Sequence, residues 1–405
     1  MTLKKGLLAV ALAALSCSAM AATELNVWED IQKSKGITQA VADFEKQYDV
    51  KVNIQEMPYI QTIEKLRLDG PSGIGPDVLV IPSDQLGAAV VQGMIAPMAN
   101  ATGDNINDYV ESALGAFTSN GQIYGYPKVV ETLVLFYNKD KIAKPFETMD
   151  EYFKFSEEQK AKGEYGLIAK FDQVYYSFGA MYAYGGYIFS RDDKGNFNPE
   201  DVGLANQGSV DAVSYLKTFF DKGLIPTGIL GDNGLNAIDS LFTEQKAAAV
   251  INGPWALEPY AKAGVNYGVT PLPKMPNGQS MSSLLGVKGY VISTWSNQKE
   301  LAEKFIQFIN QPQYAKIRFE QTSEIPPLKS VMSDPVITKN EAANAIAIQS
   351  TRAVPMPSIP EMAQVWTPID AALQLSVSGK QDVKEALEGA AQQINDSIEA
   401  FRAGY

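Results

Sequence analysis

Tyr126-Pro127-Lys128-Val129-Val130-Glu131-Thr132-Leu133-Val134-Leu135-Phe136-Tyr137 is the longest strand-like run in the chain. It is too long for an ordinary strand of about five or six residues. A strand that leaves one domain and enters another would read this way. A second strand-like stretch, Val265 to Pro273, reads as a return crossing. Glu131 interrupts the apolar part of the first run. A charge there is costly unless it is paired or faces a polar cleft, so an ion pair and a functional carboxylate both stay open.

Upstream, the pattern alternates between two periods. Leu25, Val27 and Glu29 follow period two, Ile37, Val41, Phe44 and Tyr48 follow helical spacing, and Val50, Val52 and Ile54 return to period two. A helical stretch over roughly 59–69 follows, then a turn and a fully buried strand in Gly75-Pro76-Asp77-Val78-Leu79-Val80-Ile81. This is the βαβαβ cadence of a parallel sheet covered on both faces, so the fold class is α/β. Downstream, helices are predicted near 148–162, 176–183, 208–222 and 234–243, with Asp192-Asp193-Lys194-Gly195-Asn196 as a hairpin turn. The last ~25 residues, with Val383, Leu387, Ala390, Ile394, Ile398 and Phe401, form an amphipathic helix.

The chain has 405 residues, enough for two or three domains, and contains no histidine. Histidine-based triads, Cys-His pairs, His-ligated zinc and histidine switches are therefore excluded. The one cysteine, Cys17, lies in a leader over residues 1–21. There Lys4 and Lys5 precede the apolar run Leu7 to Leu15, and Ala19-Met20-Ala21 precedes the cleavage point. That run is about half the ~20 residues that span a bilayer. Ser16-Cys17 resembles the end of a lipidation box, but Ala14 stands where leucine is expected. The predicted product is soluble, exported and thiol-free. Its net charge of −12 becomes more negative once the leader lysines leave, which argues against nucleic acid or anionic lipid as partner.

Gly70-Pro71-Ser72-Gly73-Ile74-Gly75 lacks the lysine and Ser/Thr of a phosphate loop and reads as a plain loop. No cofactor is implied. Tyr175-Tyr176 with Phe178, Trp255 after Asn252-Gly253-Pro254, and Trp366 after Met356-Pro357-Ser358-Ile359-Pro360 lie near turns. Sugar rings stack an apolar C–H face on such aromatics and turn their hydroxyls toward carboxylates and amides. Two readings follow: a carbohydrate-binding protein, or a glycosidase in which Glu131 and a second carboxylate act together.

The chain resembles the periplasmic maltose/maltodextrin-binding proteins, the solute-binding subunits of ABC importers. The resemblance rests on Leu25-Asn26-Val27-Trp28, Gly75-Pro76-Asp77, Tyr137-Asn138-Lys139-Asp140, Ile251-Asn252-Gly253-Pro254-Trp255-Ala256, Asn266-Tyr267-Gly268-Val269-Thr270 and Met356-Pro357-x-Ile359-Pro360-x-Met362-x-x-x-Trp366. It implies a periplasmic binding protein type II fold. Residues 22–130 plus about 271–325 would form an N-terminal lobe, and 131–270 plus about 326–405 a C-terminal lobe. Hinge crossings would join them, a third falling near Pro326-Pro327-Leu328. It also implies a non-enzymatic, monomeric protein of the periplasm. Such a protein closes on a malto-oligosaccharide and presents it to the importer's permease subunits; cyclic glucans and galacto-oligosaccharides are the alternatives.

Carried over by position, Lys33 and Asp84 match hydroxyl-binding residues, and Glu131 matches a hinge-side carboxylate. Tyr175, Trp255 and Trp366 match aromatic platforms, and Met356 an apolar contact. Ile81 replaces a tryptophan, Gln85 an arginine and Gln173 a glutamate, while Thr367 and Asp370 replace a tyrosine and an arginine. These departures reopen the identity of the sugar. Tyr59 and Tyr176 are further candidates for stacking surface.

Overall fold

The computed structural model describes residues 23–192 and 197–403. The expected leader with Cys17, and Asp193 to Asn196 of the expected turn, lie outside the described residues. The strands flanking that turn, Phe189–Arg191 and Phe197–Val202, pair antiparallel.

The chain opens with β1 (Thr23–Asp30), α1 (Thr38–Tyr48), β2 (Val50–Met57), α2 (Thr62–Asp69), β3 (Val78–Pro82) and the short α3 (Leu86–Val91). β1 pairs in parallel with both β2 and β3, which places the carboxyl ends of these strands along one edge of the first lobe. The long run is split at Thr132-Leu133 into β4 (Gly125–Glu131) and β5 (Val134–Asn138), which belong to different sheets. Its excess length is thus a crossing.

The second lobe holds α4 (Met149–Lys160), β6 (Tyr165–Ile168), α5 (Val174–Ala183), α6 (Gln207–Asp221), α7 (Gly234–Thr243), β7 (Ala247–Asn252) and β8 (Tyr267–Thr270). Thr148 and Glu151 close a reciprocal capping box at the start of α4, which accounts for its sharp beginning. The sheet runs β8-β5-β7-β6. β7 is buried at every residue, as a central strand covered on both faces requires.

β9 (Leu284–Ser293) re-enters the first sheet and runs antiparallel between β3 and β4. The return crossing is therefore 271–283, whereas Val265 to Pro273, expected to cross, contributes β8 to the second sheet. Hydroxyls of Thr132 and Ser283, one from each crossing, hydrogen-bond to each other where the lobes meet. After α8 (Lys299–Ile309) and α9 (Pro312–Thr322), Ile325 bridges Val130 and Leu328 bridges Tyr109. β10 (Val354–Pro355) then pairs with the start of β9, although the expected division assigns residues beyond about 326 to the other lobe. α10 (Trp366–Val377) and α11 (Val383–Ala403) pack on each other and on α6.

Gly179 permits one close approach. A Cβ there would lie 2.0 Å from the Ser282 carbonyl oxygen, so its absence lets α5 press against the return crossing.

Charge is buried in the first sheet. Lys128 of β4 has no solvent exposure and pairs with Glu29 of β1 at 2.5 Å and with Glu324 at 3.2 Å. Tyr290 of β9 donates to Glu29 at 2.6 Å. Burial alone would raise the Glu324 carboxyl, but Lys128 and Lys33 hold it below the usual range. Exchanging Lys128 for methionine would leave two buried carboxylates without this counter-charge. We expect Lys128→Met to lose about 3–5 kcal/mol in urea unfolding followed by circular dichroism; a loss below about 1 kcal/mol would show that the ammonium does not hold them.

Candidate functional site

Between the lobes lies a cleft of about 470 Å³. The carboxyl ends of β3 and β4 form one wall. From them Pro82, Ser83, Asp84, Gln85 and Glu131 reach the cleft, with Tyr59 beside them. β9 supplies the floor through Gly286, Val287 and Lys288. The opposite wall carries Gln173, Tyr175 and Tyr176 from the start of α5, with Leu235 and Trp255, while Met356 and Trp366 close one side.

Local sequence explains how the aromatics are held. Asn252, Asp239 and Tyr260 form a closed triangle. The Asn252 amide donates to Tyr260 Oη at 2.8 Å and to Asp239 Oδ1 at 3.0 Å, and Tyr260 donates to the same carboxylate oxygen at 2.6 Å. Asn252 Oδ1 also accepts from Gly253 N–H at 2.9 Å. A Cβ on Gly253 would come within 2.1 Å of the Trp255 ring, so only glycine lets the indole fold over this turn. Trp255 remains 40% exposed, a large apolar face held open to the cleft. Tyr175 lies 6.2 Å from Trp255 and 5.6 Å from Tyr176, ring centre to ring centre.

The polar groups are equally constrained. Lys288 Nζ sits 3.1 Å from Glu131, 3.2 Å from Asp30 and 3.9 Å from the centre of the Tyr59 ring. Burial alone would push this ammonium down; Glu131 first, and Asp30 further on, outweigh it and hold the amine above its ordinary value. Burial pushes the Tyr59 phenol up to about 12, with Lys288 pulling the other way. Burial also raises the Asp84 carboxyl to about 6, while a hydrogen bond from Trp366 restrains the rise.

Of the candidates from sequence, Tyr59, Asp84, Gln85, Glu131, Gln173, Tyr175, Tyr176, Trp255, Met356 and Trp366 converge on this one cleft. Lys33 lines an adjoining recess that shares Tyr59, Glu131, Trp255 and Lys288 with it, and donates to the Thr322 carbonyl at 3.1 Å. Two candidates lie elsewhere. Ile81 has no exposed surface, because its position in β3 faces the core. Asp370 accepts from Val174 N–H at 2.7 Å and so caps the first turn of α5 from α10. Glu131 answers both readings left open by its position, being ion-paired and lining the cleft. Lys288 and Ser83 were not among the candidates. Lys288 carries the signal that marked Glu131, a lone charge within the apolar run Leu284–Ser293; Ser83 offers no such sign.

Among the described residues no cluster of three or more Asp, Glu, His or Cys is arranged to hold a metal, and no helix is long and apolar enough to cross a membrane.

Residues 39–345 match the family described as bacterial extracellular solute-binding protein. A galactooligosaccharide-binding protein of Bacillus subtilis (strain 168) is 45% identical over 384 residues, covering 94% of this chain and 91% of its own length. A maltooligosaccharide ABC transporter solute-binding lipoprotein of Streptococcus pneumoniae (strain ATCC BAA-255 / R6) is 32% identical, with 93% and 89% covered. The crystal structure of a cyclo/maltodextrin-binding protein complexed with maltotetraose superposes with a TM-score of 0.85 at 33% identity, covering 94% of this chain and 98% of that one.

The Asp84 carboxyl sets a pH dependence. Below about pH 3 it is protonated in folded and unfolded protein alike, and its influence on stability is nil. As pH rises from about 4, where the unfolded chain ionises, to about 6, ionising it in the fold costs more than in the unfolded chain, so stability falls and then levels off. Asp84→Asn keeps an acceptor for Trp366 without the charge. We expect the ligand-free variant to match wild type in thermal unfolding at pH 3 and to exceed it by roughly 3 kcal/mol at pH 7. An equal gap at both pH values would refute this assignment.

Proposed function

This chain belongs to the bacterial extracellular solute-binding proteins, a non-enzymatic family, and from that premise we propose that it captures a galacto-oligosaccharide for an ABC importer. The observation that carries the reading is the composition of the cleft. Tyr175, Trp255 and Trp366 offer flat apolar faces, and Asp84, Gln85, Glu131 and Lys288 offer hydrogen-bonding groups across from them. A ligand with apolar ring faces and a fringe of hydroxyls satisfies both sets at once.

The aromatic wall belongs to the second lobe and the charged wall to the first. A ligand that touches both stabilises the closed arrangement of the lobes over the open one, which is how binding becomes a shape that permease subunits can read. Family membership removes the glycosidase reading, and Glu131 becomes a hydroxyl acceptor oriented by Lys288. Galactosyl ligand is preferred over the maltodextrin first expected. The support is the 45% identity, spread over nearly the whole chain, to a protein named for galacto-oligosaccharide. The cleft also departs from the maltose-binding pattern at Gln85 and Gln173.

Calorimetric titration with galacto-oligosaccharides and with linear and cyclic maltodextrins tests the ligand. Saturable binding of the first with weaker binding of the others is expected; tighter binding of a maltodextrin would reverse the choice. Trp255→Ala and Trp366→Ala should each weaken the bound sugar by about thirtyfold or more. Wild-type affinity in both would remove the aromatic wall from the site.

The chain is exported, and we place it free in the periplasm after cleavage behind Ala21. The intact mass of the mature protein checks this. A mass beginning at Ala22 is expected, whereas a lipid-modified Cys17 at the start would make it an anchored protein.

A further inference from the structure

We propose that Gly87 is the steric gate of lobe closure: its missing side chain lets the two lobes meet along one lip of the cleft. Gly87 is the second residue of α3 in the first lobe. Ser358–Pro360 leads from β10 toward α10, which packs on α6 of the second lobe. A Cβ on Gly87 would lie 2.5 Å from the Ser358 carbonyl oxygen and 2.7 Å from both the ring Cδ and the backbone nitrogen of Pro360. Two of these atoms are backbone and the third belongs to a closed ring, so none can rotate aside. Non-bonded heavy atoms settle about 3.5–4.0 Å apart, and a methyl group here would wedge the lip open by roughly 1 Å.

Two further contacts show the lobes meeting in this structure. Trp366, at the head of α10, hydrogen-bonds the Asp84 carboxylate one turn ahead of Gly87. Beside the recess that Lys33 lines, Lys35 of the first lobe pairs with Glu258 of the second at 3.5 Å. The side chains of that pair are 44% and 39% exposed, so it contributes little and yields readily to water. A polar contact stretches or exchanges with solvent, whereas a clash with backbone sets a limit. The approach at Gly87 is therefore the contact that decides how far this lip closes.

The local backbone does not ask for glycine. Gly87 sits inside a helix, its φ lies outside the left-handed region, and alanine favours that conformation more than glycine does. Within the first lobe alone, alanine would serve at least as well. Only the seating of Ser358–Pro360 against α3 forbids it.

The gate presupposes the oligosaccharide reading but fails separately from it. The test is Gly87→Ala in the chain from Ala22 onward, with thermal unfolding without sugar and calorimetric titration with galactotriose. That stretch carries no cysteine, so Leu68→Cys and Leu375→Cys, exposed on opposite lobes, place two spin labels whose separation reports closure. Expected are a ligand-free midpoint at or above wild type, an affinity about tenfold weaker, and, at saturating sugar, less shortening of the label distance than in wild type. A ligand-free midpoint lowered by several degrees, or a variant that does not fold, means that Ser358–Pro360 rests on α3 with or without sugar, and overturns the gate. Wild-type affinity overturns it too, as does weaker affinity with full shortening at saturation, which traces the loss to the cleft wall. Wild-type protein that neither binds nor closes with galactotriose and maltodextrins alike overturns the oligosaccharide reading and the gate with it.

Discussion

An ammonium cannot stay below the surface of a protein unless carboxylates come with it. At Lys288 that requirement organises the lobe junction. Asp30 is the last residue of β1, Glu131 the last of β4, and Lys288 stands in the middle of β9. A single cation thus pins the carboxyl ends of two strands to a third, at the level where the chain leaves for the other lobe. Lys128, with Glu29 and Glu324, repeats the arrangement deeper in the sheet. Arg318 adds its guanidinium to the Lys128 carbonyl at 3.1 Å, tying α9 to β4 as well.

Such buried pairs are poor sources of stability, since desolvation of both partners opposes their attraction. Their value here is positional. Glu131 is oriented by a buried neighbour 3.1 Å away, so its position on the cleft wall is fixed by the ion pair. The aromatic wall is set by different means: the Asn252–Asp239–Tyr260 triangle, the glycine under Trp255, and the Asp370 cap at the start of α5. The two walls are thus held by separate sets of contacts, one in each lobe.

Much of this was legible in one dimension. Period-two and period-3.6 patterns located β1 to β3 and the helices of the second lobe, because one-sided burial leaves that trace directly in the residue order. The excess length of the run ending at Tyr137 foretold a crossing, and a lone charge in an apolar strand pointed to Glu131. The same logic applied to Lys288 would have found the cation too. Other features left no such trace. Ile81 and Asp370 are expected near the sugar from the resemblance, yet Ile81 faces the core and Asp370 spends its carboxylate on a helix cap. Whether a residue faces a core or a cleft depends on what packs against it, which spacing along its own strand does not encode.

By itself, then, the amino-acid order determined the chemistry that is absent and the architecture that is present. Without histidine, it removed imidazole mechanisms; through its periodicities it specified an α/β fold. Tertiary structure alone decided which polar atoms would be satisfied. Lys288 found Glu131 and Asp30, and Asp370 found the α5 terminus. Hydrogen bonds and ion pairs act over about 3 Å between residues far apart in the chain. The polar groups of the cleft are therefore fixed only when the strands that carry them are brought edge to edge.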